Sequence, residues 1–159
     1  MKRSCLFLFI VGGLFIACSN DNSPDHIKEV IAYKQGVDGV MVNVVLADKN
    51  GNPTTAEGIL SVTFTCDQKD GKGKRTLYAD YVEVKAEDFK PVTVGTGASK
   101  HEALAYSFGR ISYAWFIGGS PAFERFPQTL RRSGNVSVEF YDHSSADYKY
   151  LKGVTTLSY

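Results

Sequence analysis

Apolar and polar residues alternate through much of the chain, and this period of two is the strongest constraint on its fold. Val40, Val42, Val44 and Leu46 fall on one side of an extended segment, with Met41, Asn43 and Val45 on the other. Leu60, Val62, Phe64 and Cys66 alternate with Ser61, Thr63 and Thr65, and Val136, Val138 and Phe140 alternate with Ser137 and Glu139. Successive side chains of a strand point to opposite faces, so these are strands, and the one over 60–66 is half-buried with a wet face. A first strand is expected over 27–33, with Ile27, Ile31 and Tyr33 sharing a face. Tyr78, Val82 and Val84 mark another, Val92–Val94 a short one after Pro91, and Tyr148–Leu151 the start of a return strand after a polar turn at His143. The connections Asp48-Lys-Asn-Gly-Asn-Pro53 and Asp70-Gly-Lys-Gly-Lys-Arg75 are dense in turn-forming residues. Short strands at this spacing predict an all-β fold, a single β-sandwich.

The middle of the chain carries two competing periods. Ser99-Lys-His-Glu102 has the form of a helix capping box, and Leu104, Phe108, Ile111 and Trp115 fall at helical intervals. Leu104, Tyr106 and Phe108 also alternate, Gly109 would weaken a helix, and aromatic residues suit a strand. A strand is therefore expected over 103–113.

The N-terminus has a different composition. Lys2 and Arg3 precede an apolar run that ends in Ala17 and Cys18 and then turns polar at Ser19-Asn-Asp-Asn. A charged region, an apolar region and a small-residue cleavage site form an export signal. The run is too short for a helix that crosses the hydrocarbon, which needs about 20 apolar residues. Leu14-Phe15-Ile16-Ala17-Cys18 resembles the lipobox of bacterial lipoproteins, with Phe15 where that family usually has Leu. The resemblance implies a signal peptide at 1–17 and an acylated Cys18 that anchors the mature chain to a membrane. Ser19 rather than Asp after the cysteine favours, by the same resemblance, the outer membrane. Residues 18–26 are expected to be a flexible tether, since Asn20 to Asp25 have almost nothing apolar to bury.

Loss of the leader also changes the charge. With Lys2 and Arg3 gone, the 18 basic residues become 16 against 17 acidic ones, so the formal net charge moves from +1 to −1. A near-neutral chain offers no broad basic field, and nucleic acid is not expected as a partner. Of the three cysteines, Cys5 leaves with the leader, Cys18 takes the lipid, and Cys66 has no partner for an internal disulfide. Cys66 reads as a small buried hydrophobe at the end of a strand.

Residues 38–64, DGVMVNVVLADKNGNPTTAEGILSVTF, resemble the strand, Asp-x-Asn-Gly-Asn-Pro turn and strand of bacterial immunoglobulin-like domains, including the invasin type. With GNVSVEFYD near the C-terminus, the resemblance extends over most of the mature chain. It implies an immunoglobulin-like β-sandwich at 27–159 of the sort that serves as a spacer, adhesion module or binding module on envelope proteins. Fold alone does not choose among those roles.

Few residues carry recognisable chemistry. Asp48, Asn50 and Asn52 have the spacing that opens an EF-hand loop, but Pro53 stands where Gly is needed and Ile59 where a bidentate Glu is needed, so a hairpin turn is expected. His26, His101 and His143 are separated from one another and from Cys66, and no zinc spacing occurs. Gly118-Gly-Ser-Pro-Ala122 is not a nucleophile elbow, because it lacks the final Gly and Pro follows the serine. The chain is read as non-catalytic, with no cofactor and no metal. The richest segment is Tyr106–Phe126, YSFGRISYAWFIGGSPAFERF. Tyr106, Phe108 and Ile111 are expected in the core. Trp115, Phe116, Phe123, Arg125 and Phe126 form the candidate surface for an envelope protein or a glycan, since aromatic faces stack on rings and Arg directs hydrogen bonds. Two other classes remain open: a structural spacer or assembly subunit using an edge strand, and an enzyme whose site is assembled only in the fold.

Overall fold

A computed structural model describes residues 23–36, 39–95, 97–112, 115, 130–143 and 148–158. These form an all-β structure of two antiparallel sheets, as the alternation predicts. The strands are β1 (His26–Lys34), β2 (Gly39–Ala47), β3 (Pro53–Thr54), β4 (Gly58–Gln68), β5 (Lys74–Val84), β6 (Lys90–Val94), β7 (His101–Ser112), β8 (Leu130–Asp142) and β9 (Tyr150–Ser158). The first sheet runs β1-β2-β7-β6, with β3 paired to the end of β2; the second runs β5-β4-β8-β9.

The core lies where the sequence patterns meet. Val40, Val42, Val44 and Leu46 of β2 face Leu60, Val62, Phe64 and Cys66 of β4 and Val136, Val138 and Phe140 of β8, all essentially solvent-free. At about 1.5–3 kcal/mol for each fully buried side chain of this size, these interlocked rows supply the main driving force for closing the two sheets. β1 and β9 close one side of the sandwich. They approach so tightly that a Cβ on Gly153 would lie 2.7 Å from Val30 Cγ2 and 2.8 Å from Ile27 Cγ2.

Among the described residues, register shifts occur in four strand pairs, and two of them decide how the sequence patterns are read. In β7, Met41 pairs with Arg110 but Asn43 pairs with Ser107, so one extra residue is accommodated near Gly109, whose φ is +71°. A glycine in the left-handed region is the residue such a bulge takes. Leu104, Tyr106 and Phe108 reach the core on one parity, and Ile111 reaches it on the other. The competing helical spacing of Phe108 and Ile111 is therefore the signature of a bulged strand. Within 103–113 the strand expectation holds for every described residue, and the strand also takes in His101 and Glu102, the end of the segment that has the form of a capping box.

The second bulge corrects the expectation for β1. The register slips between Ile27 and Glu29, so Ile27, Val30 and Ala32 pack on the main core while Ile31 faces the opposite side. Ile27 and Ile31 thus do not share a face. The tether also needs shortening at its C-terminal end. Pro24 is buried, the Asp25 backbone N–H donates to the Ala47 carbonyl at 2.8 Å, and Lys149 Nζ donates to Ser23 Oγ at 3.4 Å. His26 already belongs to β1. Residues 23–26 are thus part of the folded body, because a proline ring and a free backbone donor both find partners there. Residues 1–22, including the expected signal peptide and Cys18, lie outside the described residues.

The first sheet has a second layer. β7 pairs with β2 over its C-terminal half and with β6 over its N-terminal half. β3 takes the place beside Leu46 and Ala47. Pro91 is tolerated because β6 is an edge strand whose ladder has only one partner. The β6-β7 hairpin brings Val94 and Ala105 onto Val45, with Ile31, Val92 and Ala103 around them, as a small separate apolar cluster.

Candidate functional site

Trp115 follows β7 and stands on the surface, 61% exposed. Its ring stacks on Tyr78 of β5 with centroids 6.2 Å apart and planes 18° from parallel. Tyr78 in turn meets Phe64 edge to face at 5.8 Å, so a line of three rings runs from solvent into the core. Offset stacking and edge-to-face contact are the favoured geometries for aromatic pairs, and each contributes roughly 0.5–1.5 kcal/mol beyond area burial. The Tyr78 hydroxyl donates to Asp80 Oδ2 at 2.9 Å. Burial, then that hydrogen bond, pushes this hydroxyl up to about 12, so it is a neutral donor across the physiological range. Trp115 is thus an exposed ring held by its neighbour. Phe116, Phe123, Arg125 and Phe126, the other members of the surface expected from the sequence, lie outside the described residues. Tyr106 and Phe108 pack on the core and contact each other edge to face at 5.3 Å, as expected of this part of the segment.

A second aromatic group, which the sequence reading did not single out, covers the outer side of the second sheet. Cross-strand registers align Glu83, Ile59, Tyr141 and Tyr150 in one row, and Tyr81, Ser61, Glu139 and Lys152 in the next. Tyr81 is 74% exposed, Tyr141 45% and Tyr150 48%. Tyr141 and Tyr150 touch, with centroids 4.9 Å apart and planes tilted by 50°. The Tyr150 hydroxyl donates to the Glu139 carboxylate, and Lys152 Nζ donates to Glu139 Oε1 at 3.1 Å. The Tyr150 bond and then the Lys152 bond hold the Glu139 carboxyl below its usual range. Parity was the available signal: Tyr141 and Tyr150 adjoin the inward Phe140 and Leu151, and Tyr81 adjoins the inward-packing Val82.

The remaining chemical candidates have structural duties. Cys66 is a free thiol, buried in the core as expected; burial, then Asp67, pushes it up, against a weaker downward pull from Arg75. Asp48 caps the β2-β3 turn: Oδ1 accepts from the Asn50 and Asn52 backbone N–H groups at 2.8 and 2.9 Å, and Oδ2 accepts from Asn52 Nδ2 at 3.2 Å. Burial raises the Asp48 carboxyl, but these donors outweigh it and leave it lowered. The side-chain oxygen of Asp48 and the amide of Asn52 therefore face each other within the turn rather than converging on a cation. His101 lies at the start of β7, with Nδ1 3.1 Å from the Ser99 carbonyl and Nε2 3.0 Å from Glu29 Oε2 on β1. His26 Nδ1 lies 3.3 Å from Asp25 Oδ2, and His143 packs edge to face against Tyr148 at 6.1 Å. Among the described residues, no three His, Cys, Asp or Glu side chains gather where they could hold a metal ion.

No protein-family model, curated protein or solved structure matches this chain.

Proposed function

We propose that this protein is a bacterial envelope lipoprotein whose folded domain is a non-catalytic binding module. Cys18 would carry the lipid and hold the domain at the membrane, with the outer membrane favoured by Ser19. The strand order supports an immunoglobulin-like reading of the domain. β1-β2-β7-β6 corresponds to strands A-B-E-D of that sandwich, and β4-β8-β9 to C-F-G with β5 added as C′. Such a sandwich carries function on its loops and outer faces rather than in its core.

The observation that carries the binding role is Trp115. A large apolar ring left 61% exposed gains nothing for the fold from that exposure, yet stacking on Tyr78 holds its orientation. Such pre-organised aromatic side chains dominate recognition surfaces, because little conformational entropy is lost when a partner covers them. The segment that follows supplies Phe116, Phe123, Arg125 and Phe126 as further candidates for the same surface, with an envelope protein or a glycan as the partner.

Two measurements test this reading. Cys18→Ala should abolish lipid labelling and release the chain from membranes; unchanged labelling and membrane retention would overturn the anchor. Trp115→Ala should weaken retention on purified envelope fragments by about tenfold, the scale for truncating an aromatic anchor. Equal retention of this variant and the parent would remove Trp115 from the binding surface.

A further inference from the structure

Two basic segments that are far apart in the sequence meet at one end of the sandwich. The β4-β5 hairpin carries Lys69, Lys72, Lys74 and Arg75, and β8 begins Leu130-Arg-Arg132. Pairing of Gln68 with Leu130 and of Cys66 with Gly134 sets those two arginine positions beside the root of the hairpin. Lys34, the last residue of β1, reaches the same end. Gly153 of β9 lies against Ile27 and Val30, and Lys149, just before β9, bonds Ser23, just before β1, so the two strands run in the same direction. Residues 67–75 and positions 131–132 hold six cations and two carboxylates, a formal charge of +4; Lys34 adds one and Asp38, in the connection after it, removes one. The segments 48–57, 85–88 and 142–149, which join strands at the opposite end, hold six acidic residues and three lysines. A chain that is near-neutral in total is thus basic at one end and acidic at the other.

The basic end is open. A Cβ on Gly71 or Gly73 would meet nothing within 4 Å, and the Lys72 side chain is 81% exposed. Its contact with Asp70 Oδ2 at 4.0 Å is a solvated ion pair, and such pairs contribute little singly. A single small anion therefore gains little here, whereas a polymer that presents several anions engages several cations in one event. Among the described residues, the exposed large apolar side chains are Tyr81, Trp115, Tyr141, Tyr148, Tyr150 and Val154, and none stands on this hairpin or at the start of β8. The end thus lacks the apolar centre of a protein interface, from which lysine is depleted. β4 is 11 residues long, which sets the hairpin roughly 35 Å from the end that carries Ser23. With Cys18 as anchor, the lipid surface lies at that other end.

We propose that this basic end, built on the Lys69–Arg75 hairpin and the Arg131–Arg132 start of β8, binds an acidic polysaccharide through its repeated carboxylates. Lysine ammonium groups are point charges that adapt to anions at varied spacing, and arginine forks fit carboxylates bidentately. The choice of a glycan over nucleic acid rests on the envelope reading; the segregation of charge does not. The site uses residues distinct from Trp115 and gives the binding module a ligand class of its own.

The test is calorimetric titration of the full-length chain, held in a sugar-free zwitterionic detergent, with polygalacturonate as the probe and uncharged dextran as the control. Polygalacturonate should bind in about 20 mM salt and lose at least about tenfold in affinity by about 200 mM, because counterions released from a polyanion make binding salt-dependent. Lys72→Gln with Lys74→Gln, and separately Arg131→Gln with Arg132→Gln, should each weaken binding by about tenfold and flatten the salt dependence. Lys49→Gln with Lys85→Gln, at the acidic end, should bind as the parent does. The proposal fails if polygalacturonate does not bind at low salt, if its affinity is indifferent to salt, if the variant at the acidic end loses as much as those at the basic end, or if dextran binds as well. Tighter binding of a DNA duplex at equal salt also overturns it, by making nucleic acid the ligand. Lipid labelling of Cys18 is scored on the same preparation, so loss of the anchor and loss of polyanion binding are separate results. Should Trp115→Ala alone abolish polygalacturonate binding, the basic end is overturned while the binding-module reading stands.

Discussion

The two outer faces of the sandwich have been treated in opposite ways. The outer side of the first sheet is roofed by the β6-β7 hairpin, which buries Val45 against Val94 and Ala105. The outer side of the second sheet is open, and its largest side chains, Tyr81, Tyr141 and Tyr150, meet solvent. Both sheets share the same core on their inner sides, so the difference lies on their outer sides. Where outward positions are small or branched and apolar, as with Val45, Ile31 and Ala105, a hairpin folds down on them. Where they are tyrosines beside a Glu139–Lys152 pair, the ring edges and charged groups meet water, and none of the described strands is drawn over them.

The contrast can be broken most severely by placing the same charge on each face. Val45→Asp would bury an unpaired carboxylate beneath the hairpin and should lower the unfolding free energy by about 3 kcal/mol or more. Val154→Asp, at an exposed outward position of β9, should change it by less than about 0.5 kcal/mol. Urea denaturation midpoints compare the two directly, and equal losses would mean that both faces are covered. A smaller effect is expected at the bend that lets β7 serve both β2 and β6. Gly109→Val forces a β-branched residue into a positive φ, at about 1–3 kcal/mol, and the loss should appear in the same measurement.

The smallest expected effect sharpens the account of the roof itself. His101 on the hairpin reaches Glu29 on β1, and the Ser99 carbonyl, then Glu29, raises its affinity for a proton, with burial opposing. The folded state holds this proton more tightly than the unfolded chain does. Its stabilising contribution is therefore complete below the ordinary His value of 6.5 and fades as pH rises through the higher folded value. Melting temperature followed across this range should show a shallow decline that flattens in Glu29→Gln. A decline of the same size in that variant would remove the ion pair from the account.

Much of this was legible in order along the chain. The alternation of β2, β4 and β8 named the inward residues correctly, because a slip of one residue would carry the whole apolar set of a strand to its other face. The Asp48 turn and the buried Cys66 followed from local chemistry and burial preference. One error and one ambiguity had the same cause. A bulge adds a residue without changing composition, so Ile31 was placed with Ile27, and Phe108 and Ile111 also fitted a helix although the strand expected there holds. Residues 23–25 looked like linker because their partners, the Ala47 carbonyl for Asp25 and Lys149 for Ser23 and Pro24, are distant in sequence.

By itself the sequence determined an all-β chain, the inward faces of its longest strands and the chemistry of its turns, since periodicity and turn preference are properties of neighbours along the chain. Tertiary structure alone decided which outward residues would be covered. Val45 and Tyr141 occupy equivalent outward positions on strands of similar pattern, and only the path of β6 and β7, which crosses one face and not the other, made the first a buried contact and the second a surface.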